Sequence, residues 1–257
     1  MGVVNVTPDS FSDGGRFFDP DAALAHARKL VADGADILDI GGESTRPGAA
    51  PVSEDEELGR VVPLLQSLRD APLPISVDTR RPRVMREALA AGASLINDVQ
   101  ALEAPGALEA VALADCGVCL MHKKGDPATM QRDPQYADVV AEVKGYLAAR
   151  IAAAEQAGIA RDRIAIDPGF GFGKTPAHNL ELLRRLDEFR SLGVAVAAGW
   201  SRKSTLGVIT GKPVEQRLAA SIAAALLSVQ RGAHILRVHD VAETRDALAV
   251  WQALRER

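Results

Sequence analysis

The feature that most constrains the fold of this chain is a regular alternation of short apolar runs with longer amphipathic stretches. The apolar runs are rich in Val and Ile and contain few polar residues, as expected for strands of a parallel sheet that is covered on both faces. Each run is followed by an Ala- and Leu-rich stretch that repeats apolar residues at helical spacing. The predicted strands are 3–6, 35–41, 74–79, 94–99, 118–122, 164–169, 194–201 and 234–240.

Helices are predicted between these strands and after the last one. Strand–helix pairs that follow each other without a linker or a change in composition predict one α/β domain, a (β/α)8 TIM barrel spanning residues 1–257. A doubly wound parallel sheet is the alternative, because periodicity does not tell whether a sheet closes on itself. The predicted helices lie at 20–33, 53–70, 82–91, 105–115, 136–157, 177–191, 214–231 and 242–256.

Charge and composition argue against several classes of protein. The formal net charge is −4 and no long run of Lys or Arg occurs, so neither a nucleic-acid surface nor a membrane surface is expected. No apolar stretch reaches the roughly 18 residues that a membrane-spanning helix needs, and no basic signal-peptide region precedes the first strand. Cys116 and Cys119 form a pair that no second pair completes into a metal site. We therefore expect a cytoplasmic protein in a reducing compartment.

Polar residues stand at the ends of the predicted strands. The carboxyl ends of parallel strands meet at one rim of a barrel, where barrel enzymes have their active sites, so these side chains predict a functional pocket. A lone Asp after a strand is usually an N-cap or turn residue, and Asp39 is interpreted as such a residue or as a hydrogen-bonding residue of the core. The polar residues are Asn5, Asp39, Asp78, Asn97, His122, Asp167, Ser201 and Arg237, with His239 close behind.

The segment IDPGFGFGKT, residues 166–175, looks at first like a phosphate-binding loop. A P-loop requires a glycine five positions before its Gly-Lys pair, and that position is occupied by Pro168, so the spacing excludes one. What remains is an apolar strand ending in the carboxylate of Asp167, which can accept two parallel N–H bonds from a guanidine-like ring edge such as that of a pterin. Asp78 and Asn97 can bond other polar groups of the same ring.

Motifs at the strand ends follow one another in a fixed order along nearly the entire chain. They are NVTPDSFSDGG (5–15), GGESTRPGA (41–49), SVDT (76–79), INDV (96–99), DPGFGFGK (167–174), SRKS (201–204) and RVHDV (237–241). Together they closely resemble the dihydropteroate synthases, a family of pterin-binding TIM-barrel enzymes of folate biosynthesis.

The resemblance implies a transferase that condenses 6-hydroxymethyl-7,8-dihydropterin diphosphate with p-aminobenzoate. Pyrophosphate would leave early, without a covalent enzyme intermediate. The resemblance implies catalytic roles for Asp78, Asp167, Lys203 and Arg237, with Mg²⁺ bound through Asn5. The residues implied in binding are Asp78, Asn97, Asp167 and Lys203 for the pterin, Asn5, Thr45, Arg46, Arg237 and His239 for the diphosphate, and Phe172, Ser201, Lys203, Arg46 and Pro47 for p-aminobenzoate.

The family also implies a homodimer and competition of sulfonamides with p-aminobenzoate. Leu218, Ile222 and Leu226 offer an apolar stripe for a dimer face, although the same stripe could cover the barrel. The chain departs from the family at Lys123-Lys124, where Met-Gln is common, and at Trp200, which replaces a smaller residue. Members usually carry an N-terminal segment before the first strand, which residues 1–257 are expected to lack.

Two other functions fit parts of the sequence. A methyltetrahydrofolate-dependent corrinoid methyltransferase has a pterin pocket on the same barrel, but it has no use for diphosphate ligands such as Arg237 and His239. A non-catalytic pterin-binding homologue is the second alternative. Such a protein would be expected to lose some of Asn5, Lys203 and Arg237, all of which this chain retains.

Overall fold

The computed structural model describes residues 1–7, 20–44, 52–125 and 129–255. Eight parallel strands form a sheet in which the order in space is the order along the chain. All eight predicted strands are confirmed. They are β1 (Gly2–Asn5), β2 (Leu38–Gly41), β3 (Ile75–Asp78), β4 (Leu95–Asp98), β5 (Gly117–Met121), β6 (Ile164–Asp167), β7 (Ala195–Ala198) and β8 (Ile235–Leu236). Strands β1 and β5 begin and end one residue earlier than predicted, and the other six are shorter than predicted.

The sheet closes on itself between its last strand and its first. Gly2 and Val238 form a parallel bridge, and the backbone N–H of Val3 donates to the carbonyl oxygen of Val238 at 3.0 Å. The N-terminal amine of Met1 donates to the carbonyl oxygen of Leu236 at the same distance of 3.0 Å. Closure removes both sheet edges, so the predicted (β/α)8 barrel is confirmed and the doubly wound sheet is excluded.

Nine α-helices lie in the described ranges, against eight predicted. The additional helix, α7, follows β7, and the predicted helix 177–191 divides into α6 and a 3₁₀ segment, Leu186–Leu192. The helices are α1 (Pro20–Ala32), α2 (Glu54–Ser67), α3 (Pro82–Ala90), α4 (Ala107–Ala112), α5 (Val139–Gln156), α6 (Pro176–Arg184), α7 (Ser204–Thr210), α8 (Leu218–Gln230) and α9 (Val241–Ala253). No described helix is both long and apolar enough to cross a lipid bilayer.

The buried apolar residues form two clusters, one on the outside of the sheet and one in the barrel interior. The larger one combines outward-facing strand residues such as Ile40 and Ile166 with helix residues such as Leu65. The smaller cluster contains Cys119 and Ala165, together with Ala197. The side chains of this second cluster are small, and polar side chains from other strands share the barrel interior with them.

Candidate active site

The interior of the barrel contains a buried acid, Asp39, that organises three strands around it. It is fully buried on β2 and accepts hydrogen bonds from Ser76 Oγ at 2.6 Å and from Asn97 Nδ2 at 3.2 Å. Arg237 Nε donates to the same carboxylate at 2.6 Å. Asp39 is therefore a hydrogen-bonding residue of the core, the second of the two interpretations offered from the sequence.

Arg237 joins this buried network to the rim of the barrel. While its Nε donates to Asp39, its Nη2 donates to Asp78 Oδ2 at 2.9 Å. Burial raises the pKa of Asp78 from 3.8 to about 7, more than the nearby Arg237 cation lowers it. The two acids raise the pKa of Arg237 further above its ordinary value, although burial opposes this. Asp78 can therefore exchange a proton near neutral pH, whereas Arg237 stays charged.

Asp167 and Lys203 face each other across a space that a glycine leaves open. A Cβ atom added to Gly199 would lie 3.8 Å from both Asp167 Oδ2 and Lys203 Nζ. Burial raises the pKa of Asp167 and lowers the pKa of Lys203 to about 8, although each charge favours the other. The backbone N–H of Gly169 donates to Asp167 Oδ1 at 2.7 Å, which fixes the carboxylate and leaves its second oxygen available.

Asn5 stands beside Asp78 at the same rim. A Cβ atom added to Gly41 would lie 3.8 Å from Asn5 Oδ1 and 3.9 Å from Asp78 Oδ2. The two oxygens thus border one space above the end of β2, next to Gly41, which has no side chain. Strands β1 and β3 supply these two groups because both flank β2 in the sheet.

Three consecutive residues of the loop after β7 make separate contacts. The Ser201 hydroxyl accepts from the backbone N–H of His239 at 3.1 Å and lies 2.9 Å from His239 Nδ1. Arg202 adopts a left-handed conformation, with φ 59°, and its guanidinium pairs with Asp240. Lys203 Nζ lies 4.8 Å from the centroid of the Phe172 ring and donates to the carbonyl oxygen of Phe170. The Arg202 guanidinium therefore pairs with Asp240, whereas Lys203 contacts the loop after β6.

The structure brings together the predicted residues of the described ranges. Thr45, Arg46 and Pro47 lie outside the described residues, so their predicted roles stay predictions. The residues gathered at the rim or in the network beneath it are Asn5, Asp78, Asn97, Asp167, Phe172, Ser201, Lys203, Arg237 and His239.

A family model described as “Pterin binding enzyme” matches residues 1–239 of the chain. The chain belongs to the pterin-binding enzymes.

Curated relatives and solved structures agree with this family. The dihydropteroate synthase of Haemophilus influenzae is 52% identical over 254 residues, which cover 98% of this chain and 92% of that protein. That of Neisseria meningitidis serogroup B is 55% identical over 261 residues, covering 99% and 92%. The structure of Xanthomonas albilineans dihydropteroate synthase with 4-aminobenzoic acid superposes with a TM-score of 0.94 at 58% identity, covering 99% of this chain and 92% of the other. The resemblance predicted from the motifs is therefore confirmed.

The main residue of this pterin-binding enzyme that the sequence did not identify is Lys174. In the sequence it stands where a P-loop would have its lysine, and the spacing excludes a P-loop. Its side chain is buried, and its ammonium group lies 3.0 Å from His122 Nδ1. His122 is thus a buried partner of Lys174, and burial lowers its pKa to about 3. No sequence signal distinguishes a buried lysine in a glycine-rich loop from an exposed one.

Proposed function

We propose that this chain is a transferase that condenses 6-hydroxymethyl-7,8-dihydropterin diphosphate with p-aminobenzoate, giving 7,8-dihydropteroate and pyrophosphate. The observation that carries the proposal is the convergence of Asp78, Asn97 and Asp167, from three different strands, on one end of a closed barrel. The relatives support the same reaction. The Xanthomonas albilineans dihydropteroate synthase solved with 7,8-dihydropteroate is 55% identical to this chain, with a TM-score of 0.91 over 99% of it.

The pterin is the substrate part that the described residues suit best. The available Asp167 oxygen can accept N–H bonds from the 2-amino edge of the ring, and the neighbouring Lys203 can donate to the ring's acceptor atoms. Asn97 is buried and donates to Asp39, which leaves its amide oxygen free to accept from the ring. A ring without these polar groups would leave buried atoms unpaired, which makes the pocket selective for pterins.

The described groups suit a reaction in which the carbon–oxygen bond to pyrophosphate breaks early. The bonding electron pair leaves with pyrophosphate, and the positive charge on the methylene carbon spreads into the pterin ring. The carboxylates of Asp78 and Asp167 stabilise that charge electrostatically, because they are preorganised in the site before the bond breaks. The arylamine nitrogen then forms the new bond and releases its proton to water. Because this amine is uncharged at neutral pH, it needs no strong general base, and positioning of the two substrates contributes much of the rate. The reaction needs no covalent enzyme intermediate.

The diphosphate requires cations at the same rim. Arg237 is charged at all working pH values, and its guanidinium already bonds Asp78, so it connects the pterin and diphosphate sides. His239 is held by Ser201 and can donate from its other ring nitrogen. Thr45 and Arg46 are proposed as further ligands on the strength of the motif alone.

The residues at the rim fit a bound Mg²⁺. The Asn5 amide oxygen lies beside Asp78 Oδ2 above Gly41, and hard oxygen atoms of this kind are the ligands that Mg²⁺ prefers. The described residues contain no group of three or more acidic, His or Cys ligands, so a metal here would take most of its ligands from the diphosphate and water. When bound, Mg²⁺ would neutralise negative charge on the departing pyrophosphate.

The p-aminobenzoate site is proposed on the side of Phe172 and Lys203. The Phe172 ring supplies a flat apolar surface, and Lys203 supplies a positive charge for the carboxylate of the substrate. Ser201 lies in the same loop, and Arg46 and Pro47 are expected to complete this side. We propose that sulfonamides compete here, because the Yersinia pestis dihydropteroate synthase solved with a sulfonamide drug is 46% identical, with a TM-score of 0.94.

We further propose a homodimer that works in the cytoplasm. Exposed apolar side chains gather on the neighbouring helices α7, α8 and α9, which supports an interface there. Among the residues that the sequence predicted for a dimer face, Leu218 is exposed, whereas Ile222 and Leu226 are only partly exposed. The buried free thiols of Cys116 and Cys119 are compatible with a reducing compartment.

Release of pyrophosphate tests the proposed reaction. The wild-type chain, supplied with the pterin diphosphate, Mg²⁺ and p-aminobenzoate, is expected to release pyrophosphate and to form dihydropteroate in equal amounts. Asp167→Asn keeps the shape of the side chain but removes the charge, and is expected to reduce kcat/KM by roughly 10²-fold or more. Absence of pyrophosphate from the wild-type reaction would refute the proposal, and methyl transfer to a corrinoid would favour the methyltransferase alternative.

A further inference from the structure

The buried ammonium group of Lys174 ties the loop between β6 and α6 to the end of β5. Lys174 is 2% exposed, and its Nζ donates to the carbonyl oxygens of Gly169 at 2.9 Å and Phe172 at 3.0 Å. The third short contact is with His122 Nδ1 at 3.0 Å, and three is also the number of N–H groups that a lysine ammonium can donate. In the described part of the chain, all its contacts are with carbonyl oxygens and this ring nitrogen.

The backbone packing of this region leaves the loop little freedom to move. Gly169 and Gly173 both have positive φ, at 70° and 65°. A Cβ atom on Gly169 would lie 1.9 Å from the carbonyl oxygen of His122, and one on Gly173 would lie 2.1 Å from that of Lys124. The β6–α6 loop, residues 168–175, is therefore in direct backbone contact with the segment that follows β5. The buried amine of Lys174 contacts residues of both segments as well.

The loop in turn holds two groups that contact Lys203. The carbonyl oxygen of Phe170 accepts from Lys203 Nζ, and the Phe172 ring lies 4.8 Å from the same nitrogen. The Phe172 carbonyl that Lys174 binds belongs to the residue whose ring faces Lys203. A shift of the loop would therefore move both contacts of Lys203 at once.

We propose that Lys174 is a positioning residue, which fixes the β6–α6 loop so that Phe172 and the Phe170 carbonyl hold Lys203 in place for p-aminobenzoate. The part that concerns p-aminobenzoate rests on the function proposed above. All the described contacts of Lys174 are with the protein, so it acts through the loop that it binds.

A purely space-filling role does not account for a lysine at this position. Burial of an ammonium group is unfavourable, and a methionine of similar length would fill the same volume without that cost. Burial lowers the pKa of Lys174 well below its ordinary range, and His122 with its lowered pKa stays neutral and can accept at Nδ1. What lysine adds over methionine is a donor to three fixed acceptors on two different loops.

The test combines kinetics with the fluorescence of Trp200, which packs on Phe170 of the loop with ring centroids 4.6 Å apart. The chain contains two tryptophans, so a Trp251→Phe background leaves Trp200 as the only one. In that background, Lys174→Met is expected to raise the KM for p-aminobenzoate about tenfold or more. The KM for the pterin diphosphate should change less than about threefold, and the emission of Trp200 should shift without any substrate. Leu182→Ala, a buried change on α6, controls for lost stability and should leave both KM values and the emission unchanged.

Two results would overturn the inference. The first is a Lys174→Met enzyme with an unchanged KM for p-aminobenzoate and unchanged Trp200 emission. The second is an equal effect from Leu182→Ala, since Lys174 would then serve only stability. If the methionine variant does not fold, Lys174→Gln, which keeps two N–H donors on a shorter side chain, is measured with the same expected directions. If the wild-type chain releases no pyrophosphate, the proposed function fails, and Trp200 emission alone still decides whether Lys174 fixes the loop.

Discussion

At the scale of single residues, the site depends on two acids, Asp39 and Asp78, that share the donor Arg237. Asp39 is fully buried and accepts from three donors, so it serves as a fixed anchor for Arg237 and Asn97. Asp78 has one described partner, Arg237, and its pKa lies near neutral pH. The two acids therefore have different roles. Asp39 orients the donors around it, and Asp78 retains the capacity to respond to a ligand and to pH.

The raised pKa of Asp78 predicts how stability depends on pH. Between pH 3.8 and about 7 the folded protein keeps a proton on Asp78 that the unfolded chain loses, so this residue reduces the free energy of unfolding as pH rises. In Asp78→Asn that contribution is absent. The Tm of the variant minus the Tm of the wild type should therefore become more positive from pH 5 to pH 8, by roughly 2–4 °C for each kcal/mol. Calorimetry at four pH values measures this difference.

The control for Asp78→Asn is Asp55→Asn, which removes one negative charge from the outer surface of α2. Asp55 is 81% exposed, and its Tm difference from the wild type should stay nearly constant over the same pH range. The activity of Asp78→Asn should fall about 10²-fold, because a neutral amide stabilises a developing cation less than a carboxylate does. A Tm difference for Asp78→Asn that is flat or moves in the opposite direction would contradict the assigned pKa shift.

At the scale of elements, the loop after β6 shows which structural features the sequence predicts and which it does not. The strand before it could be predicted from its apolar run, and the ending of that strand at Asp167 follows from the same pattern. The contacts of the loop could not be predicted, because the positions of His122 and Lys124 relative to Gly169 and Gly173 are set by the pairing of β5 with β6. Tertiary contact, which periodicity does not report, decides the conformation of this loop.

The helices show the same division between local and tertiary information. Ser53, a residue type that commonly caps helices, accepts from the backbone N–H of Glu56 at 3.1 Å. The Glu56 carboxylate pairs with Arg60 one turn later. Helix α7 was not predicted because its seven residues are too few to display an amphipathic repeat. Long helices could be predicted from the sequence, whereas the bonding partners of individual side chains could not.

A matched pair of glycine substitutions tests whether backbone contact holds the β6–α6 loop. Gly158 and Gly169 both have positive φ, at 93° and 70°, but nothing lies within 4 Å of a Cβ added to Gly158. Gly158→Ala should therefore lower the free energy of unfolding by about 1 kcal/mol, the cost of backbone strain alone. Gly169→Ala adds a collision with the His122 carbonyl and should cost at least about 3 kcal/mol. Urea denaturation measures both values, and equal losses for the two variants would show that the packing of loop against loop contributes nothing.

At the scale of the whole molecule, closure of the barrel is what brings the site together. The groups that meet come from the two ends of the chain, since Arg237 near β8 binds Asp39 on β2 and Asp78 on β3. The bonds of Met1 with Leu236 and of Val3 with Val238 close the sheet beneath this network. The (β/α)8 pattern predicts that residues from the two ends of the chain meet, because a closed barrel places its last strand next to its first. The choice of Asp39 as the partner of Arg237 did not follow, because an acid within a strand has several possible roles.

The proposed homodimer can be tested at the exposed face of α7, α8 and α9. Ile209 on α7 is 54% exposed and Leu227 on α8 is 48% exposed, and Leu113, the residue that follows α4, is 89% exposed and serves as the control. A single charge placed in an apolar interface leaves a buried ion unpaired, so Ile209→Asp should convert a dimer into a monomer. Sedimentation velocity at micromolar concentrations should give twice the chain mass for the wild type and for Leu113→Asp, and the chain mass for Ile209→Asp. A wild type that sediments as a monomer, or an Ile209→Asp protein that stays dimeric, would exclude this face as the interface.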